Sequence, residues 1–266
     1  IDYVQVHQGL DDGIEMFGGT VDLKHCVVSA AQDDGYDWDL GYSGRGQFLI
    51  VKDYTDDGNY GIEADTNPSN DSAQPRSNPT WYNVSLIGTG RGSVSKTAAF
   101  QAGIAMRSGT EGKLYNLLVT GYKDTGLTMI GNATPQRALD GGLEIASSLF
   151  GPNGAADAQN IWDAARQVKD KNGVDTRARD PRNASTIFDL KTWITAPEKA
   201  NREASAQPLM DPLNMLAPVF TPAPGSPVLT GAKAPPSDGF FEPANYVGAV
   251  DPTSDWTKGW TAYPAN

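Results

Sequence analysis

Five glycines, each followed directly by an apolar residue, recur through the first half of the chain: Gly13, Gly35, Gly61, Gly103 and Gly126. They open the stretches DDGIEMFGG (11–19), DDGYDWDLG (33–41), DDGNYGIEAD (56–65), FQAGIAMRSG (100–109) and KDTGLTMIGN (123–132), separated by 22, 26, 42 and 23 residues. A unit of roughly 22 residues therefore repeats with two insertions. A second apolar segment follows each glycine: VDLKHCVVSA (21–30), GQFLIVKD (46–53), WYNVSLIGTG (81–90), LYNLLVTG (114–121) and LEIASSLFG (143–151). Short strands joined by Gly, Asp and Asn turns at this period are the signature of a solenoid. With strands so short, the economical fold is an all-β, right-handed parallel β-helix, each coil hydrogen-bonding the next at about 4.8 Å. A β-sandwich could use such strands but would not explain the recurring Asp-Asp-Gly and Gly-Ile-Glu.

These units resemble those of pectin-lyase-like right-handed β-helix proteins. The ending FFEPANYVGAVDPTSDWTKGWTAY (240–263) resembles the closing segment of large secreted bacterial β-helix proteins, most of them without assigned activity. The resemblance implies a secreted or bacterial cell-surface protein and is not specific for a reaction. On this reading residues 1–151 form the coils. Residues 152–266 form a helical, then extended, Pro- and aromatic-rich region that packs on the solenoid and caps it. Helices are expected at 155–171 and 185–194.

Alternate residues of a strand face opposite ways. Counting from the glycines, Ile14, Tyr36, Ile62, Ile104 and Leu127 share the core face with Met16, Trp38, Ala64, Met106 and Met129. The opposite face then carries Glu15, Asp37, Glu63, Ala105 and Thr128, followed two residues on by Phe17, Asp39, Asp65, Arg107 and Ile130. Glu15, Asp37, Asp39, Glu63 and Asp65 should form one carboxylate patch across three coils, with Arg107 one coil further. The turn pairs Asp11/Asp12, Asp33/Asp34 and Asp56/Asp57 read more simply as turn caps.

Carboxylates stacked about 5 Å apart repel unless something offsets the repulsion. Three readings follow. The patch is solvated, or held as a staple by Ca2+, with Asp37, Asp39, Glu63 and Asp65 as candidate ligands, since oxygen-only clusters suit a hard cation. Or it is a catalytic groove acting on polysaccharide, with Asp37, Glu15, Glu63 and Arg107 as candidate catalytic residues and Asp39, Asp65, Arg76 and Phe17 as candidate substrate contacts. Or it is a recognition surface without chemistry. In the catalytic case, neighbouring rungs suit a retaining glycosidase and alternate rungs an inverting one. A lyase of the kind found on this fold would instead hold Ca2+ against a uronate, with Arg107 as the nearest base. The loop 66–80 brings Asn70, Arg76 and Asn78 toward the patch, and the insertion 132–140, carrying Arg137, could wall the same groove.

Net charge is −11, with 19 acidic against 10 basic side chains in residues 1–151. No basic stripe exists to meet nucleic acid. No apolar run approaches the length of a transmembrane helix. The single cysteine, Cys26, reads as a core residue, and His7 and His25 as surface or packing residues. The chain starts in strand-like alternation, so an upstream segment or another subunit is expected to cover Tyr3, Val4 and Val6.

Overall fold

A computed structural model describes residues 1–54, 58–90, 100–154, 162–163 (backbone only) and 177–265. Two parallel sheets wind together through the first half of the chain. The larger sheet contains β1 (Asp2–His7), β3 (Leu23–Ser29), β5 (Arg45–Lys52), β7 (Thr80–Ile87) and β9 (Gly112–Thr120) in that order. β11 (Leu143–Ala146) and β12 (Leu149–Phe150) both pair with β9. The second sheet contains β2 (Ile14–Phe17), β4 (Tyr36–Asp39), β6 (Tyr60–Ala64), β8 (Ala102–Met106), β10 (Thr125–Met129) and β13 (Trp162–Asp163). From β1 to β11 the strands alternate between the two sheets, so the chain forms an all-β parallel solenoid.

Register in the second sheet places Ile14, Tyr36, Ile62, Ile104 and Leu127 on one rung line. Met16, Trp38, Ala64, Met106 and Met129 lie on the next inward line. Apart from half-buried Ile14, these residues are buried in the main core, as their alternation requires. Tyr36 and Trp38 meet Trp81 of the opposite sheet edge to face, with ring centroids 5.5 and 4.9 Å apart. Their polar atoms are satisfied inside: Tyr36 Oη donates to the Cys26 carbonyl and Trp38 Nε1 to Thr110 Oγ1, as buried aromatic rings require. Cys26 is fully buried in the same core.

The recurring glycine marks where the two sheets touch. A Cβ on Gly13 would lie 2.2 Å from Val28 Cγ1, on Gly35 2.5 Å from Val51 Cγ2, and on Gly103 2.2 Å from Val119 Cγ1. Each would also come within 2.7 Å of the carbonyl of the next glycine in the row. The residue is therefore selected for close approach of a valine and a backbone, not for an unusual φ.

The larger sheet bends at one left-handed residue per coil: Tyr3, His25, Phe48, Asn83, Asn116 and Ser147, with φ between 48° and 58°. The pairing register steps over these positions. Their side chains stack outward. Tyr3 lies 4.4 Å from His25, and His25 lies 5.2 Å from Phe48, with rings nearly parallel. Asn83 and Asn116 continue the line and turn their amides to the C-terminal segment.

That segment does two things. β14 (Arg179–Asp180) and β15 (Asn183–Ile187) form a hairpin, and Phe188, Leu190 and Ile194 then enter the same core cluster as the coils. The helix expected at 185–194 is one turn, α2 (Leu190–Ile194), because Ser185–Ile187 are taken by the hairpin and Asp189 caps the Thr192 amide. β16 (Arg202–Glu203) adds to β12. From there the chain forms a second hairpin, β17 (Leu209–Asp211) with β18 (Val219–Pro222), and runs along the flank of the larger sheet. Val27, Ile50, Ile87, Leu118 and Leu149 are covered there by Leu209, Phe220, Val228, Val247, Ala249 and Val250. Backbone groups are tied at successive coils: Asn116 holds Lys233, Asn83 Nδ2 donates to Tyr246 O, Gln47 Nε2 to Glu242 O and Gln5 Nε2 to Ala262 O. The Pro- and aromatic-rich stretch is thus packed on the solenoid as a strap laid across the coils. Tyr3 packs edge-on against Trp256 and Trp260 of this strap and stays 52% exposed. The helix expected at 155–171 lies outside the described residues except for β13. No helix among the described residues is long and apolar enough to cross a membrane.

Candidate functional site: a carboxylate row on the second sheet

Glu15, Asp37 and Glu63 are register partners on β2, β4 and β6, one per coil. Phe17 pairs with Asp39, and the Asp65 amide donates to Trp38 O, so Asp65 follows one coil on. Hydrogen bonding between strands therefore assembles the row. Oxygens of Asp34, Asp37 and Glu63 lie within 4.8 Å of one another, as do those of Asp12, Glu15 and Asp37. Asp37 belongs to both groups.

The row is graded in exposure. Glu15 is exposed, Asp37 and Glu63 are half-buried, and Asp39 and Asp65 are 8% and 1% exposed. Among the described residues, Oδ1 of Asp37, Asp39 and Asp65 is enclosed without a hydrogen-bond partner. An enclosed carboxylate oxygen lacking a donor is costly, and it is where a cation or proton is most strongly drawn.

Electrostatics agree with this crowding. Burial, then the charges of Glu63, Asp12, Asp65 and Glu15, pushes Asp37 up to about 8. Burial, together with Glu63, Asp33 and Asp12, pushes Asp34 up to about 10. Burial also raises Glu63, to about 7, against the pull of Arg107. Desolvation and neighbouring acids raise Glu15, Asp12 and Asp39 as well.

Arg107 closes one end of the row. Its Nη1 pairs with Glu63 and its Nη2 lies 2.9 Å from Asp65 Oδ2. Although burial works against the charge, Asp65 and Glu63 hold its proton more tightly than in an ordinary guanidinium. Arg107 is thus a clamp on two carboxylates.

The other expected contacts divide. Phe17 is exposed on the face beside Asp39. Arg76 is not on the row. Its guanidinium donates to Asp71 O and Gly109 O and lies 4.0 Å from Glu111, tying its own loop down. Arg137, on α1 (Ala133–Leu139), pairs with Glu111 and with Asp140 at the helix end, and the backbone N–H of Asn78 donates to Tyr42 O. Carbonyls and carboxylates outside the row hold the Arg76 and Arg137 guanidinium groups.

The residues the sequence pattern undervalued are the turn aspartates. Asp12 Oδ1 accepts from the Asp34 amide and Asp34 Oδ1 from the Tyr60 amide, so each ties to the backbone of the next coil, where a cap of its own turn was expected. They also place Asp12 and Asp34 inside the carboxylate groups. The recurring Asp-Asp-Gly was the available signal, since a cap that repeats at the coil period must stack. Asp56 and Asp57 lie outside the described residues.

The pectate-lyase like beta helix domain model matches residues 1–197. The chain belongs to that family. The match spans every coil described above and extends through α2. No curated protein and no solved structure matches the chain.

Proposed function

We propose that the second-sheet face of this pectate-lyase-like β-helix binds polysaccharide, with Ca2+ held between carboxylates of consecutive coils. The observation that supports this reading best is the convergence of Asp34, Asp37 and Glu63 around an enclosed, partnerless Asp37 oxygen. The donor set fits the ion: carboxylate oxygens only, mutually within 4.8 Å, which suits a hard cation that takes 6–8 oxygens at about 2.3–2.6 Å. Asp39 and Asp65 extend the same face with further unpartnered oxygens. Bound Ca2+ would offset the repulsion of the row, and it would leave coordination positions for sugar hydroxyl or carboxylate oxygens. Without it, an acidic face repels an acidic polymer. Phe17 offers an exposed ring at one margin of the row and Arg107 a fixed charge at the other. Domains of this kind are often extracellular, where such polymers are met.

A rival reading rests on one specific feature, the Asp12–Asp34–Tyr60 hydrogen-bond chain, which links three coils. On that reading the carboxylates and any cation only staple the solenoid.

Affinity electrophoresis through polygalacturonate or alginate separates the two. Retention should weaken about tenfold or more with EDTA, and equally in Asp37→Asn with Ca2+ present, while circular dichroism shows the Asp37→Asn variant folded. Retention indifferent to both changes would overturn the proposal. So would the absence of retention combined with a melting temperature that EDTA lowers, which is the staple's signature.

A further inference from the structure

We infer that a cleft beside the row, built by the chain's two insertions, is a separate subsite for a neutral, hydroxyl-rich sugar unit; the inference rests on the polysaccharide reading above and deepens it. The cleft has a volume of about 460 Å3, within the ~300–1,000 Å3 typical of small-molecule sites. The loop after β6 lines it with Ser69, Asn70 and Asp71, the segment entering α1 with Asn132, and the chain just after β8 with Arg107 and Ser108. Arg107 joins the cleft to the row, because the same guanidinium pairs with Glu63 and Asp65.

The hydrogen-bonding state of the lining defines what fits. Asn70 Oδ1 is spent on the amide and hydroxyl of Ser72, and Asn132 Oδ1 on the Arg179 amide. These bonds fix both side chains while leaving each amide nitrogen without a protein acceptor among the described residues. The Asp71 carboxylate and the hydroxyls of Ser69 and Ser108 likewise have no protein partner among them. Two amide donors, one carboxylate acceptor and two hydroxyls with no protein partner among the described residues therefore line one cleft. A sugar hydroxyl both donates and accepts, so neighbouring hydroxyls on a pyranose need this mixture of amide donors and a carboxylate acceptor.

Charge narrows the class. Arg107 is the one cationic side chain lining the cleft among the described residues, and two carboxylates already engage it. An anionic unit placed there would face Asp71 and the end of the acidic row with no uncommitted cation to meet it. A neutral unit bears no such cost. The cleft, unlike the row, thus needs no metal. A polymer crossing both would place a neutral residue in the cleft and an oxygen-rich or acidic one over the carboxylates.

The test is nuclear magnetic resonance titration of the intact chain with lactose, cellobiose, mannobiose and digalacturonate, all in EDTA. At least one neutral disaccharide is expected to shift the side-chain amide signals of Asn70 and Asn132 and to saturate. Asp71→Ala and Asn132→Ala should each weaken it about tenfold, the loss expected when a hydrogen bond to a charged or oriented group goes. Digalacturonate should leave these signals unmoved. The inference is overturned if no neutral disaccharide moves them, or if the variants bind as well as the parent. It is also overturned if digalacturonate binds the cleft in EDTA more tightly than the neutral sugars. Since every arm lacks metal, loss of the Ca2+-dependent binding proposed above would leave these outcomes readable on their own.

Discussion

Gly35→Ala is expected to cost more than about 3 kcal/mol and to leave much of the chain unfolded at 37 °C. Overpacked cores lose about 1–3 kcal/mol when neighbours can shift, but here the neighbours are fixed from two sides. The new methyl would lie 2.5 and 2.6 Å from the two Val51 methyls and 2.7 Å from the Gly61 carbonyl. Val51 is fully buried between sheets, and Gly61 is held on the next rung. Neither can retreat without opening the solenoid at β4–β6. Gly141→Ala is the control. Gly141 has φ +77° and nothing within 4 Å of a Cβ, so only the left-handed penalty of about 1–2 kcal/mol applies. Adding Val51→Ala to Gly35→Ala should recover part of the loss, because it removes two of the three clashes. Urea midpoints for the three variants decide the matter, and a Gly35→Ala midpoint near the parent's would show that the sheets do not meet at the glycine row.

In metal-free buffer, the parent should lose stability as pH rises from about 5 to about 8.5. Asp37 has its folded value raised to about 8 from an ordinary 3.8. Between those values the folded chain keeps a proton that the unfolded chain has released, so stability falls with pH across the window; the Asp37 share levels off above about 8, and Asp34, raised to about 10, carries a further fall beyond it. Glu63 and Asp34 act in the same direction. A tenfold difference in proton affinity between the folded and unfolded chains corresponds to about 1.4 kcal/mol. Allowing for the part of Asp37 that faces water, we expect a total decline on the order of 2 kcal/mol, or about 4–8 °C in melting temperature for a chain of this size. Asp37→Asn should flatten the profile, since the amide never ionises. Ca2+ should do little at pH 5 and restore most of the loss at pH 8.5, because the ligands must be deprotonated to bind it. Melting curves that rise with pH in EDTA would contradict the crowding of the row.

The coil architecture was legible because close approach of two sheets demands glycine at one position per coil, and an inward apolar residue must follow it. That single constraint placed Ile14, Tyr36, Ile62, Ile104 and Leu127 on one line and Glu15, Asp37 and Glu63 on its reverse. The bend in the larger sheet left no such trace. Its left-handed positions are filled by Tyr3, His25, Phe48, Asn83, Asn116 and Ser147, and what selects them is stacking with the coil above and the strap outside. The strap was visible as an aromatic-rich segment, but where it lies depends on bonds from Gln5, Gln47, Asn83 and Asn116, residues far away in sequence. Asp34 was read as a cap alone because a pattern of spacing does not show that a cap can also face its neighbours' carboxylates. Arg107 was placed near the row, yet its engagement with both Glu63 and Asp65 crosses coils diagonally and follows from side-chain reach. Arg76 was expected at the patch by proximity in sequence, but it is held by the Asp71 carbonyl of its own loop and the Gly109 carbonyl of the next coil.

The central claim is that successive coils bring Asp34, Asp37 and Glu63 together as one cation site. The most direct test is an anomalous difference map from crystals grown with Ca2+ or soaked in Tb3+ at pH 8. The account predicts a peak about 2.3–2.6 Å from oxygens of those three carboxylates, absent from Asp37→Asn crystals. A clean map at the row, or a peak that ignores Asp37 and persists in the variant, would contradict it.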